Sequence, residues 1–172
     1  MNDWKGQVQP MDVKDYLCRL HELEAVVDAL MEEVQEKRTS VTYRSKQVSE
    51  PWVQSSIKTD RLSDTMCEVV DLRTELEKLT AEYLEMRDRY IRQIRGLRNV
   101  QYIKILYRVY INHLDLKQCA ADVQMSYTTV LQKHNEALDL FGRKYAEEIM
   151  KAEEDEEQKF RKSEGAETDS WT

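Results

Sequence analysis

Leu62, Met66, Val69, Leu72, Leu76, Leu79, Tyr83, Met86, Tyr90, Ile94 and Leu97 follow one another at steps of three or four, with no proline among them and no glycine before Gly96. Steps of this size keep apolar side chains on one side of an α-helix. The stripe predicts a helix of ~38 residues, or ~57 Å at ~1.5 Å per residue, which is too long to stand without a partner face. Val13, Tyr16, Leu20, Leu23, Val27, Leu30 and Val34 form a second stripe of the same kind, with Asp12 placed to cap it and Asp60 placed to cap the longer one. Between the two, residues 39–59 are rich in Ser, Thr and Val. Pro51 disfavours helix at Glu50, so this stretch reads as a connector with short extended pieces. The connector is long enough for the first helix to fold back antiparallel on the second. The same stripe could also pair with a second copy of the chain, and the spacing does not separate the two.

Four glycines and two prolines in 172 residues leave little material for the many turns of a β-sandwich or barrel. The most apolar run, Val100 to Leu116, is broken by Lys104, Arg108 and His113, and the chain begins Asn2, Asp3, Trp4 after Met1. Neither a membrane span nor a secretion signal is expected. Cys18, Cys67 and Cys119 stand far apart, which fits a reducing, cytoplasmic setting and supplies no thiolate zinc site. The net charge of -7 is unevenly placed. Arg87 to Arg108 carries seven bases against the single acid Asp88, whereas residues 146–172 carry ten acids against four bases. The end of the chain therefore reads as an acidic tail, partly helical and then disordered.

After Gly96 and Leu97, which look like a helix stop, three shorter helices are expected. The first, about Val100 to Asn112, is capped by Asn99 and buries Ile103, Leu106, Tyr107 and Tyr110. The second opens at Asp115, in capping-box spacing with Gln118, and turns Leu116, Cys119, Ala120 and Val123 inward. A break at Gln124 and Met125 precedes Ser126, the cap of a third helix with Val130, His134, Ala137, Leu138 and Phe141 on its inner face. Tyr127, Thr128, Leu131, Gln132 and Asn135 are left on the other side. A small residue such as Ala120 lets two helices cross closely, and a capped third helix presents its first turns to a major groove. Gln132 and Asn135 can bond adenine in bidentate fashion, while Thr129 lies at the helix start and Lys133, Arg143 and Lys144 stand near enough to take phosphate.

The stretches Tyr110–Leu116, Cys119–Val130 and His134–Leu140 resemble sigma factor region 4, and more closely the sigma-region-4-like late-gene activators of Gram-positive prophages, the ArpU/RinA type. The whole layout, residues 12–145, is similar to an uncharacterised prophage family. The resemblance implies a DNA-binding transcription regulator in the cytoplasm of a bacterial host, with double-stranded DNA and RNA polymerase as partners. Family members often carry glycine where this chain has His113 and Gln124, so a somewhat remodelled turn is expected, since a left-handed non-glycine residue costs about 1 kcal/mol. None of the arginines expected for promoter reading stands at Tyr127, Thr128, Leu131 or Gln132. That argues against the usual -35 specificity while leaving duplex DNA as the ligand.

No glycine-rich phosphate loop and no nucleophile–base arrangement is present, so no enzyme and no cofactor are expected. Cys18 and His21 lie one turn apart without a further metal ligand in evident register. The expected protein is all-α: a flexible residue 1–11 segment, a hairpin or coiled coil over 12–98, a helix-turn-helix over 99–145 and the acidic tail. A homodimer through the long helices is one expected assembly. The competing readings are a small-terminase-like packaging component and a structural coiled-coil adaptor.

Overall fold

The structure is a computed structural model, and it describes residues 10–48 and 56–168. The fold is all-α: α1 (Pro10–Val48), α2 (Ser56–Arg95), α3 (Val100–Leu106), α4 (Leu116–Asp122) and α5 (Tyr127–Thr168), with no strand among the described residues. Two compact units share the long helices. One consists of residues 22–86, and the other of residues 1–21 with 87–172.

In the unit of residues 22–86, α1 and α2 run antiparallel. Tyr83 donates its hydroxyl to Glu24 at 2.9 Å, and Lys37 pairs with Glu68 at 3.3 Å, so positions rise along α1 as they fall along α2. The fold-back within one chain, left open by the spacing, is thus present. Val27, Val34 and Val69 are buried, whereas Leu72, Leu76 and Leu79 are only half-buried and Met66 is 49% exposed. Two helices alone cannot enclose a whole heptad stripe, so the middle of the seam stays partly wet.

Both ends of the expected connector are helical. α1 continues through Val48 and α2 already begins at Ser56, so of residues 39–59 only 49–55, Pro51 among them, lie outside the described residues. Hydroxyls that favour loops elsewhere are satisfied within α1 itself. Thr39 donates to the Gln35 carbonyl at 2.8 Å, Ser40 to Lys37 at 2.8 Å and Thr42 to Arg38 at 3.0 Å. Asp12 and Asp60 stand at helical positions within α1 and α2, not at the position that precedes the first turn. α1 starts at Pro10, whose fixed φ and missing N–H suit a first helical position, so residues 10 and 11 of the expected flexible segment are helical and its residues 1–9 lie outside the described residues.

The other unit draws in both the start of α1 and the end of α2, so the boundary expected at residue 98 falls earlier. Val13, Tyr16, Leu17 and Leu20 of α1 are buried, as are Tyr90 and Ile94 of α2 and Phe141 of α5. The Tyr16 ring lies 4.7 Å from Tyr90 and 6.3 Å from Phe141, and the Tyr90 hydroxyl donates to the Tyr16 carbonyl at 2.6 Å. Gln93, 5% exposed, joins the three helices: it accepts from the Tyr16 hydroxyl at 3.2 Å and donates to Glu148. Burial pushes the Tyr16 phenol up, which keeps it a donor. The acidic end therefore does not begin as a free tail. α5 kinks at Tyr145 (φ -119°, ψ 24°) and continues to Thr168, with Ile149 fully buried.

Gly96 is where α2 meets α5. Tyr145 donates to the Gln93 carbonyl at 3.0 Å and Lys144 to the Gly96 carbonyl at 2.5 Å. A Cβ on residue 96 would overlap the Tyr145 hydroxyl and come within 3.1 Å of the Gln93 carbonyl. The left-handed residue that ends this segment is Arg98 (φ 61°), not Gly96. Glycine is thus needed for close approach. Gly96→Ala is expected to expel the Tyr145 hydroxyl and lower stability by about 1–3 kcal/mol, a loss that urea unfolding would read and that Tyr145→Phe should reduce.

Candidate functional site

The candidate face is built by α3, α4 and α5. Asn99 accepts from the Gln101 and Tyr102 amides and starts α3. α3 then widens into a π-helical turn over Tyr107–Ile111, closed by the Asn112 amide on the Tyr107 carbonyl at 3.1 Å. That extra residue per turn shifts the inner face. Ile105, Leu106, Tyr110 and Ile111 are buried, while Ile103 and Tyr107, both expected inside, are half-buried.

α4 begins with a complete capping box. Asp115 accepts from the Lys117 and Gln118 amides at 2.7 Å each, and the Gln118 side chain accepts from the Asp115 amide at 3.2 Å. Its far end is a Schellman turn: the Met125 amide reaches the Ala120 carbonyl at 3.1 Å and the Gln124 amide reaches Ala121 at 3.3 Å. Gln124 (φ 55°) and His113 (φ 53°) both take the left-handed conformation, so the turns keep the geometry glycine would give and are not remodelled. Each accepts a backbone cost of about 1–2 kcal/mol. Ser126 then caps α5 by accepting from the Thr129 amide at 3.2 Å.

Ile105, Cys119, Ala120 and Val130 form the core of this trio, with Val109, Leu116, Val123 and Met125 packed around them. Burial pushes the Cys119 thiol up, which suits a packing role. Val130, His134, Ala137, Leu138 and Phe141 are all buried, as their spacing predicts. Arg108 pairs with Asp122 and ties α3 to α4 beside a cleft of about 310 Å³ whose rim includes Lys104 and Gln124.

On the opposite side of α5, Tyr127, Thr128, Leu131, Gln132 and Asn135 are exposed, with Thr129 and Lys133 half-buried. One neighbour was missed from sequence. Glu136 accepts from Gln132 at 2.8 Å and from the Tyr102 hydroxyl at 2.9 Å, and these bonds, Gln132 first, hold its carboxyl below the usual carboxylate range. An ionised acid therefore sits among the polar side chains of this face. The four-residue step from Gln132 to Glu136 was the available signal. Arg143 is exposed, whereas Lys144 is engaged with Gly96 and lies 5.4 Å from the Tyr145 ring centroid. Of the basic stretch, Arg89, Arg92, Arg95, Arg98 and Lys104 are exposed.

His134 is the buried polar group beneath this face. Its Nε2 lies 3.1 Å from the Tyr110 hydroxyl and its Nδ1 3.4 Å from the Asn135 side-chain oxygen. A neutral imidazole meets both: Nδ1–H donates and Nε2 accepts from Tyr110, whose phenol burial keeps protonated. Burial holds the His134 imidazole below its ordinary value of 6.5. The unfolded chain consequently takes up a proton at a higher pH than the folded one. Stability contributed by this site should be full above about pH 6.5 and lost as pH falls toward the depressed folded value. Urea unfolding at stepped pH should show that decline in the wild type, and His134→Gln should flatten it.

Taken by its fold, the chain is an all-α protein in which a capped trio of short-spaced helices rests on the ends of two long ones. Residues 42–141, more than half of the chain, match the family described as Protein of unknown function (DUF1492), and the chain belongs to that family. No curated protein and no solved structure matches it. No helix is long and apolar enough to cross a membrane, among the described residues.

Proposed function

We propose that this protein is a DNA-binding transcription regulator of a phage or other mobile element, and that α4 and α5 act as a helix-turn-helix. The observation that carries the reading is the pair of caps around a buried Ala120. The Schellman turn after α4 and the Ser126 cap of α5 leave the first turns of α5 exposed with Tyr127, Thr128, Leu131, Gln132 and Asn135 on one face. Gln132 and Asn135 read base edges, Thr129 and Lys133 approach phosphate, and Arg143 with the exposed arginines of α2 supplies long-range attraction. Lys144 plays the smaller part its contact with Gly96 leaves it. Val26, Met31, Met66, Val70 and Leu84, each about half exposed, support a homodimer through the long helices. RNA polymerase is the other partner of this reading, and the bacterial cytoplasm its setting.

The test is selection from a random duplex pool with the full chain, followed by fluorescence anisotropy on the enriched sequence. A specific protein should prefer that sequence over mixed DNA by at least about 10³. A pool that yields no enriched sequence would count against a regulator.

A further inference from the structure

The sequence leaves His21 one turn from Cys18 with no second imidazole nearby, and folding supplies one. His21, exposed on α1, lies against His113 of the α3–α4 loop, with ring centroids 4.5 Å apart and planes inclined by 33°. Their ligand nitrogens lie within 4.8 Å of each other. Two imidazoles bound to one tetrahedral ion at ~2.0–2.1 Å place their nitrogens roughly 3.3 Å apart, so binding requires the exposed His21 ring to turn toward His113. His113 also holds φ at 53°, where glycine would sit without strain. The side chain held there is a metal ligand by chemistry.

We propose that His21 and His113 bind one divalent transition-metal ion of the zinc or copper class, with water completing the coordination. The ion ties the amino-terminal stretch of α1 to the loop that orients α4. Imidazole is a good ligand for zinc and copper and a poor one for magnesium or calcium, so the latter pair should not compete. The site is independent of DNA binding.

Calorimetric titration of the full chain with zinc chloride tests it. One ion per chain is expected near neutral pH. His21→Asn and His113→Gly should each weaken zinc by more than about tenfold. Zinc should raise the wild-type Tm and leave that of His113→Gly unmoved. Without metal, His113→Gly should melt no lower than the wild type, since glycine suits that backbone, so its loss of zinc cannot come from misfolding. Absence of binding, or wild-type affinity retained by either variant, would overturn the proposal.

Discussion

Phe141→Ala lowers the stability of the unit formed by residues 1–21 and 87–172 by about 3–5 kcal/mol, the cost of emptying a large buried aromatic site. Phe141 is fully buried on α5, with the Tyr16 ring at 6.3 Å and the Tyr145 ring at 4.9 Å. It packs between the rings of Tyr16 and Tyr145, and both of these are held in place. Tyr16 is fixed through its hydroxyl to Gln93, and Tyr145 through its own to the Gln93 carbonyl. Urea unfolding followed by circular dichroism would measure the loss. The same truncation at Leu76, half-buried between the long helices, should cost clearly less, because part of that side chain is already in water. A loss below about 1 kcal/mol at Phe141 would mean that α5 does not rest on α1 as described.

Gln132→Ala together with Asn135→Ala removes the two amides able to bond base edges. The pair should cost about 2–6 kcal/mol on the selected duplex, from about 1–3 for each bidentate contact, and little on mixed sequence. Gln132 must first release Glu136, to which it now donates. Glu136→Gln keeps an acceptor for that amide but removes an ionised acid from the face, so it should tighten binding to selected and mixed sequences alike. Anisotropy on both duplexes reads the two effects separately. Equal loss on selected and mixed DNA for the double variant would take these amides off the reading face.

Much of this was legible because local signals agreed with the tertiary outcome. The caps at Asn99, Asp115 and Ser126 depend on side chains and amides within three residues, and the inner face of α5 follows from a stripe of one period. The left-handed turns at His113 and Gln124 were marked, although their strain was expected to be relaxed and instead is retained. What escaped depends partly on contacts far apart in sequence and partly on local choices that composition does not decide. Residues 39–48 read as a connector by composition, yet they are helical and the Thr39, Ser40 and Thr42 hydroxyls bond back into α1. The carboxy-terminal acids read as a tail, yet Ile149 is buried and Glu148 meets Gln93, fifty-five residues away. The meeting of His21 with His113 had no sequence signal, since ninety-two positions separate them. Nor does period alone reveal a π-helical turn such as the one over Tyr107–Ile111, where Tyr110 and Ile111 are both buried.

The central claim is that the exposed side of α5 and the basic residues near it bind duplex DNA, and a salt titration tests it most directly. Full-chain protein is titrated onto mixed-sequence duplex by anisotropy at rising salt from about 50 mM. The account expects measurable binding at the lowest salt, with log K falling linearly against log salt and a slope that corresponds to several phosphates, about -0.9 for each. No binding at about 50 mM salt, or an affinity that does not change with salt, would contradict it.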